Sequence, residues 1–147
     1  MDTHIPKVFL TSNIQLEDVR NYLLDNGTDT NVLGATYYFS DDEIIDAMKR
    51  TVDAYNAIPP LSIRMTYGKV YGNTMLLAGI GYQLCLSKMR ALSAKDVDYN
   101  SGGTSTNLVS KQLQHLAQMK NEFKQEFMEL AMAQKKSINI HKAFASF

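Results

Sequence analysis

Hydrophobic residues recur at three- and four-residue steps in four stretches of the chain, and most are bounded by residues that start or stop a helix. Leu16, Val19 and Leu23 give one apolar face to a helix over about 15–25. Ser12 or Asn13 is placed to cap it, Glu17 and Asp18 suit its positive end, and Asn26-Gly27 is placed to end it. The second stretch opens at Ser40, with Glu43 three residues on, the signature of a capping box. Its stripe is Ile44, Ile45, Met48, Val52 and Tyr55, and Pro59-Pro60 stops it by removing two backbone donors. The third, about 73–92, carries Leu76, Leu77, Ile80, Leu84 and Met89. Gly79 and Gly81 each cost a helix roughly 1 kcal/mol relative to Ala, so another helix is expected to cross closely there, making this the central, most buried helix. The fourth runs over about 106–136, with a seam of Leu113, Leu116, Met119, Phe123, Phe127 and Leu130. Lys135-Lys136 reads as its dipole-complementing end.

The segments between are of different character. Residues 1–12 read as an extended arm, interrupted by Pro6, with Val8, Phe9 and Leu10 available to dock. Residues 28–39 read as a loop with an apolar and aromatic patch, Val32-Leu33 and Tyr37-Tyr38-Phe39. Residues 61–72 alternate well enough for a short strand or an extended connector. Residues 93–104 read as a polar loop with a tip at Gly102-Gly103. Residues 137–147 mix Ile138, Ile140, Phe144 and Phe147 with His141 and Lys142, a pattern read as non-helical and outside a four-helix core. The expected architecture is mainly α: one domain over 1–147, with an arm (1–12), a helical core of about four helices (13–136) and a docking tail (137–147).

Composition narrows the picture. A chain of 147 residues suits one domain, and 45% hydrophobic with 20% charged residues is globular rather than disordered. The formal net charge is zero but polarised. Residues 1–56 hold ten acids and four bases, a net −6, which leaves five acids and eleven bases, +6, for the rest. Such a chain is suited to stacking head to tail with its own copies or showing one sign to a partner; equally, the halves neutralise each other within one fold. The single cysteine, Cys85, forms no intrachain disulfide, lies in an apolar helical run and reads as a small buried hydrophobe of a reducing compartment. Met1-Asp2-Thr3-His4 does not open a signal peptide, and no run of about 18 apolar residues suggests a membrane span.

Catalytic patterns are missing. There is no phosphate-binding glycine loop, no Gly-x-Ser-x-Gly elbow and no His-Glu-x-x-His. His4, His115 and His141 are scattered, and Asp41, Asp42, Glu43 and Asp46 read as capping residues on a solvated first turn rather than a cation site. Lys111, Lys120, Lys124, Lys135, Lys136 and Lys142 are interleaved with Glu122, Glu126 and Glu129, and the last helix has no arginine, so direct base readout is not expected. The reading is a non-enzyme with no catalytic, metal or cofactor residues.

One resemblance fits the order of elements. It is carried by Leu16-Glu17-Asp18-Val19-Arg20-Asn21-Tyr22-Leu23, Phe39-Ser40-Asp41-Asp42-Glu43-Ile44, Asp53-Ala54-Tyr55-Asn56-Ala57-Ile58-Pro59-Pro60, Gly79-Ile80-Gly81-Tyr82, the loop Tyr99-Asn100-Ser101-Gly102-Gly103 and a long last helix. Over most of its length the chain resembles the head-to-tail adaptor, or connector, proteins of tailed bacteriophages. That resemblance implies a structural virion protein, assembled in the host cytoplasm, that forms a ring, commonly of twelve copies, under the portal protein. The ring extends the DNA channel and seats the tail or next neck ring, with DNA only as passing cargo and no membrane partner. It implies interface roles, toward the portal or a neighbouring subunit, for Ile138, Ile140, His141, Lys142, Phe144 and Phe147 and for Val8, Phe9 and Leu10. Tyr99, Asn100, Gly102 and Gly103 would line the channel or touch a neighbour. The alternatives are another helical virion or tail-completion protein, or a small DNA-binding regulator.

Overall fold

The computed structural model describes residues 14–25, 38–66, 73–98 and 106–146. The proposed arm with Val8, Phe9 and Leu10, the loop residues Tyr99, Asn100, Gly102 and Gly103, and Phe147 lie outside the described residues. The described residues form four helices: α1 (Leu16–Leu23), α2 (Asp41–Ala57), α3 (Asn73–Asp98) and α4 (Thr106–Phe144). The mainly α architecture with a long last helix is therefore as expected, and no strand forms among the described residues.

Helix α1 starts at Gln15, whose N–H donates to the Asp18 carboxylate at 2.7 Å. It stops earlier than Asn26-Gly27. Leu24 takes the left-handed conformation, φ 56°, so that the Asp25 N–H reaches Arg20 O at 2.8 Å and the Leu24 N–H reaches Asn21 O at 3.3 Å. This is the reverse turn that glycine usually supplies. Helix α2 begins as its sequence dictates. Ser40 Oγ accepts from the Glu43 N–H at 3.2 Å, and the Glu43 carboxylate accepts from the Ser40 N–H at 2.8 Å. Its stripe, Ile44, Ile45, Met48, Val52 and Tyr55, is buried throughout. Of the segment 61–72, expected as a short strand or an extended connector, only 61–66 are described, and they form no strand. Asn56 clamps the backbone of Met65 from both sides, accepting its N–H at 2.7 Å and donating to its carbonyl at 2.9 Å.

Helix α3 is the centre of the bundle, packed against both α2 and α4. Met75, Leu76, Ala78, Ile80, Leu84 and Cys85 are all buried. A methyl group on Gly79 would stand 2.2 Å from Thr51 Cγ2 and 2.9 Å from Phe127 Cδ2, and one on Gly81 would stand 3.0 Å from the Phe123 ring. The two glycines thus mark the close helix crossing expected of them. Helix α3 also takes in 93–98, which the polar composition assigned to a loop.

The larger correction is at the other end. Residues 137–144, read as a tail without helical period, continue α4 without a break. Ile140 and Phe144, four residues apart, share one face of this helix, but it meets no core: 139–146 are all exposed. A helix needs an apolar face only where it packs, and Ala131 and Lys135 are the last buried residues before the end. Leu130, expected in the seam, is 37% exposed, while Leu116 and Phe127 are buried as expected.

Candidate interaction surface

The end of α4 is the most conspicuous surface. Beyond Lys135, Ile138 is half-buried and every other residue to Ser146 is exposed. Ile140 is 50% and Phe144 76% exposed, with Met132, 51% exposed, two turns before Ile140. Lys136, His141 and Lys142 stand among them, and no acid occurs after Glu129. The last helix thus ends in a rod that is apolar and basic together. Of the tail residues singled out from the sequence, the structure brings Ile138, Ile140, His141, Lys142 and Phe144 onto this one helical end.

Lys135 fixes where the rod leaves the core. Its side chain is buried at 1% exposure and donates to Ile58 O and to Pro60 O, the latter at 3.4 Å, with Nζ 4.6 Å from the centre of the Tyr55 ring. Helix α2 has no basic residue in its last turn, so α4 supplies the cation that its carbonyl end favours. Burial, with the Arg64 charge adding to it, lowers the Lys135 pKa from 10.5. The reading of Lys135 as a dipole-complementing end of its own helix is therefore replaced: the helix runs on, and the lysine serves α2. Its position in sequence carried the signal, since Phe127, Ala131 and Lys135 follow at four-residue steps on the buried seam.

A second feature lies at the opposite end of the bundle. A cleft of about 290 Å³ opens between the C-terminal end of α1, the Tyr38-Phe39 segment, α3 and the first turns of α4. Leu23, Leu24, Tyr38, Leu116 and Met119 give it apolar walls, with Gln112 and His115 on one side. Leu24, 70% exposed, and Tyr38, 44% exposed, form its lip. Cys85 lies at its base, and burial pushes the thiol pKa up to about 11, which keeps it protonated and a poor nucleophile.

The wall of this cleft is held by a buried polar network that the sequence did not reveal. The Asp25 carboxylate, 3% exposed, accepts from Arg20 at 3.1 Å, from the Tyr38 N–H at 2.7 Å and from the Phe39 N–H at 3.0 Å. Arg20 also donates to Phe39 O at 3.0 Å and to Asp41. An Arg and an Asp five residues apart, straddling a helix end, form no recognisable motif, because the partners they share are backbone groups brought from a distant segment.

The acidic first turn of α2 behaves as capping and pairing residues. Asp41 meets Arg20, Glu43 meets Ser40 and Lys88, and Asp46 meets Arg50. Burial alone would raise the Glu43 pKa, but its bonds to Ser40 and the Lys88 charge outweigh this and lower it. Lys88 also lies over the rings of Tyr38 and Phe39, at 5.0 and 5.5 Å from their centres. Among the described residues no group of three His, Cys, Asp or Glu side chains is arranged to hold a metal ion, and no helix is long and apolar enough to cross a membrane. Comparison with protein-family models, with curated proteins and with solved structures finds no match.

Proposed function

We propose that this chain is a helical assembly protein, one whose work is to bind other subunits. More particularly, it is a ring-forming head-to-tail adaptor of a tailed bacteriophage, joining the portal at the capsid vertex to the tail and extending the channel through which DNA passes. The observation that carries the proposal is the end of α4. Nine residues past Lys135 hold a helix with Ile140 and Phe144 in solvent and no core of their own to fill. A large aromatic at 76% exposure on a basic helical end is the kind of anchor that interfaces use. The order of sequence elements supplies the phage assignment, and the cleft and polarised charge agree with a subunit that meets others in a fixed orientation.

The test is electron microscopy of intact virions, or of portal complexes purified with this chain. A ring of the protein coaxial with the portal is the expected result. Particles whose neck lacks the protein refute the adaptor assignment. Deleting 137–147 should abolish incorporation without unfolding the bundle; truncated chains that still join the neck would refute the role given to the helix end.

A further inference from the structure

Two features of the molecule are complementary, and one subunit cannot bring them together. The knob is Phe144 with Ile140 on the basic end of α4. The hole is the apolar cleft whose far wall includes Leu116 and Met119 of the same helix. Because α4 is uninterrupted from Thr106 to Phe144, 25 helical steps separate Met119 from Phe144, roughly 38 Å at 1.5 Å per residue. Phe144 therefore never reaches the cleft of its own subunit. From this separation we infer that Phe144 of one copy seats in the Leu24–Tyr38–Met119 cleft of a second copy, so that the two opposite ends of the molecule form a head-to-tail contact.

Charge supports the second copy as the occupant. The knob carries Lys136 and Lys142 and no acid after Glu129. Beside the cleft's Phe39 wall, Asp41 is paired with Arg20 and Glu43 with Lys88, and the exposed Asp42 of the same first turn adds an acid to this edge. An exposed base meeting an exposed acid at the rim orients the encounter, while the apolar ring in the cleft holds it. A cleft of about 290 Å³ has room for one aromatic ring and a neighbouring aliphatic side chain, not for a whole helix, so the tip enters and the rod lies outside.

Leu24 gives independent support. It is a leucine in the left-handed region, where glycine stands at little cost and a side chain is strained. Its side chain is 70% exposed and makes the lip of the cleft. A residue that is strained and also exposes its apolar surface is explained when that surface is covered by a partner.

A contact between two different patches of one molecule is heterologous, and repeated copies either close into a ring or extend as a filament. The inference rests on the ring-adaptor reading for its biological setting but is tested separately, by complementation in solution. Phe144→Ser removes the knob and leaves the cleft; Leu24→Glu spoils the cleft and leaves the knob. Both positions are exposed, so folding is checked simply by circular dichroism. Sedimentation velocity on the full chain should show wild type associating with rising concentration. Each variant should need roughly ten- to hundred-fold more protein, the range expected for losing one buried large apolar side chain. Mixed, the two variants should form a one-to-one dimer that grows no further, because only one intact interface exists in the mixture. A mixture that stays monomeric, or Phe144→Ser associating like wild type, overturns the inference. So does a wild-type chain monomeric up to about 1 mM, the outcome expected if residues 26–37 of the same chain occupy the cleft or if Phe144 serves the portal alone. In each of these cases a ring seen in the virion neck would leave the adaptor reading standing.

Discussion

Replacing Asp25 by Ala should be among the most damaging single changes available outside the apolar core. The carboxylate accepts hydrogen bonds from Arg20, the Tyr38 N–H and the Phe39 N–H, and both Arg20 and Asp25 are buried. Removing it takes a buried anionic partner from a guanidinium of 8% side-chain exposure, which also meets Phe39 O and the half-exposed Asp41. Breaking one side of a buried ion pair costs about 3–5 kcal/mol. Asp41 still faces the guanidinium, so the lower end applies, about 3 kcal/mol. That is a large share of a total stability of about 5–15 kcal/mol for a domain of this kind. In urea unfolding followed by circular dichroism, with slopes of about 1–3 kcal/mol per molar, the midpoint should fall by about 1–3 M. Asp25→Asn keeps the shape and one acceptor oxygen and should fall between wild type and Ala. Asp41→Ala, on the exposed side of the same arginine, should cost at most about 1 kcal/mol. If Asp25→Ala lies within about 1 kcal/mol of wild type, the network does not hold the α1 end to the Tyr38-Phe39 segment.

Three further outcomes follow. Gly79→Ala should destabilise by about 1–2 kcal/mol, because the clash with Thr51 at 2.2 Å outweighs a helix-propensity gain of about 1 kcal/mol; Gly81→Ala, which meets only the half-buried Phe123 ring at 3.0 Å, should be near neutral, and equal effects in thermal unfolding would refute the crossing geometry. The Cys85 thiol titrates near 9.0 unfolded and near 11 folded, so its proton is held more tightly in the native state; stability should fall by about 2–3 kcal/mol as pH rises from 9 to 11, and Cys85→Ala should remove that part of the slope in urea titrations at each pH. Deleting 137–147 should change the unfolding free energy by no more than about 1 kcal/mol, since 139–146 are exposed; a larger loss in the same assay would show that the helix end packs on the bundle.

Helices whose faces all meet the core were legible from periodicity. The stripe of α2 and its Ser40–Glu43 box were fixed by local chemistry, and the two glycines of α3 announced a close crossing. Periodicity failed where packing ends. The last turns of α4 continue a helix already formed, and their helical spacing is only the single pair Ile140 and Phe144, too little to stand out beside Ile138. The cleft was illegible for a different reason. Its walls come from four segments, and the Arg20–Asp25 network that holds one wall is long-range and largely to backbone. Leu24 was hidden too: nothing in Leu23-Leu24-Asp25 says that a leucine will take the conformation expected of Gly27.

The buried lysine has a consequence for direction. Lys135 must face inward to reach Ile58 O and Pro60 O, and that sets the rotation of α4 about its own axis. Phe144 follows nine residues later, and at 3.6 residues per turn that is roughly two and a half turns, so its side chain leaves the helix on the side opposite Lys135. Inserting a single residue between them would turn the aromatic ring by about 100° while leaving every core contact untouched. Lys135 thus serves as an angular reference mark: the azimuth at which each subunit offers its aromatic tip is determined inside the bundle, before any partner arrives.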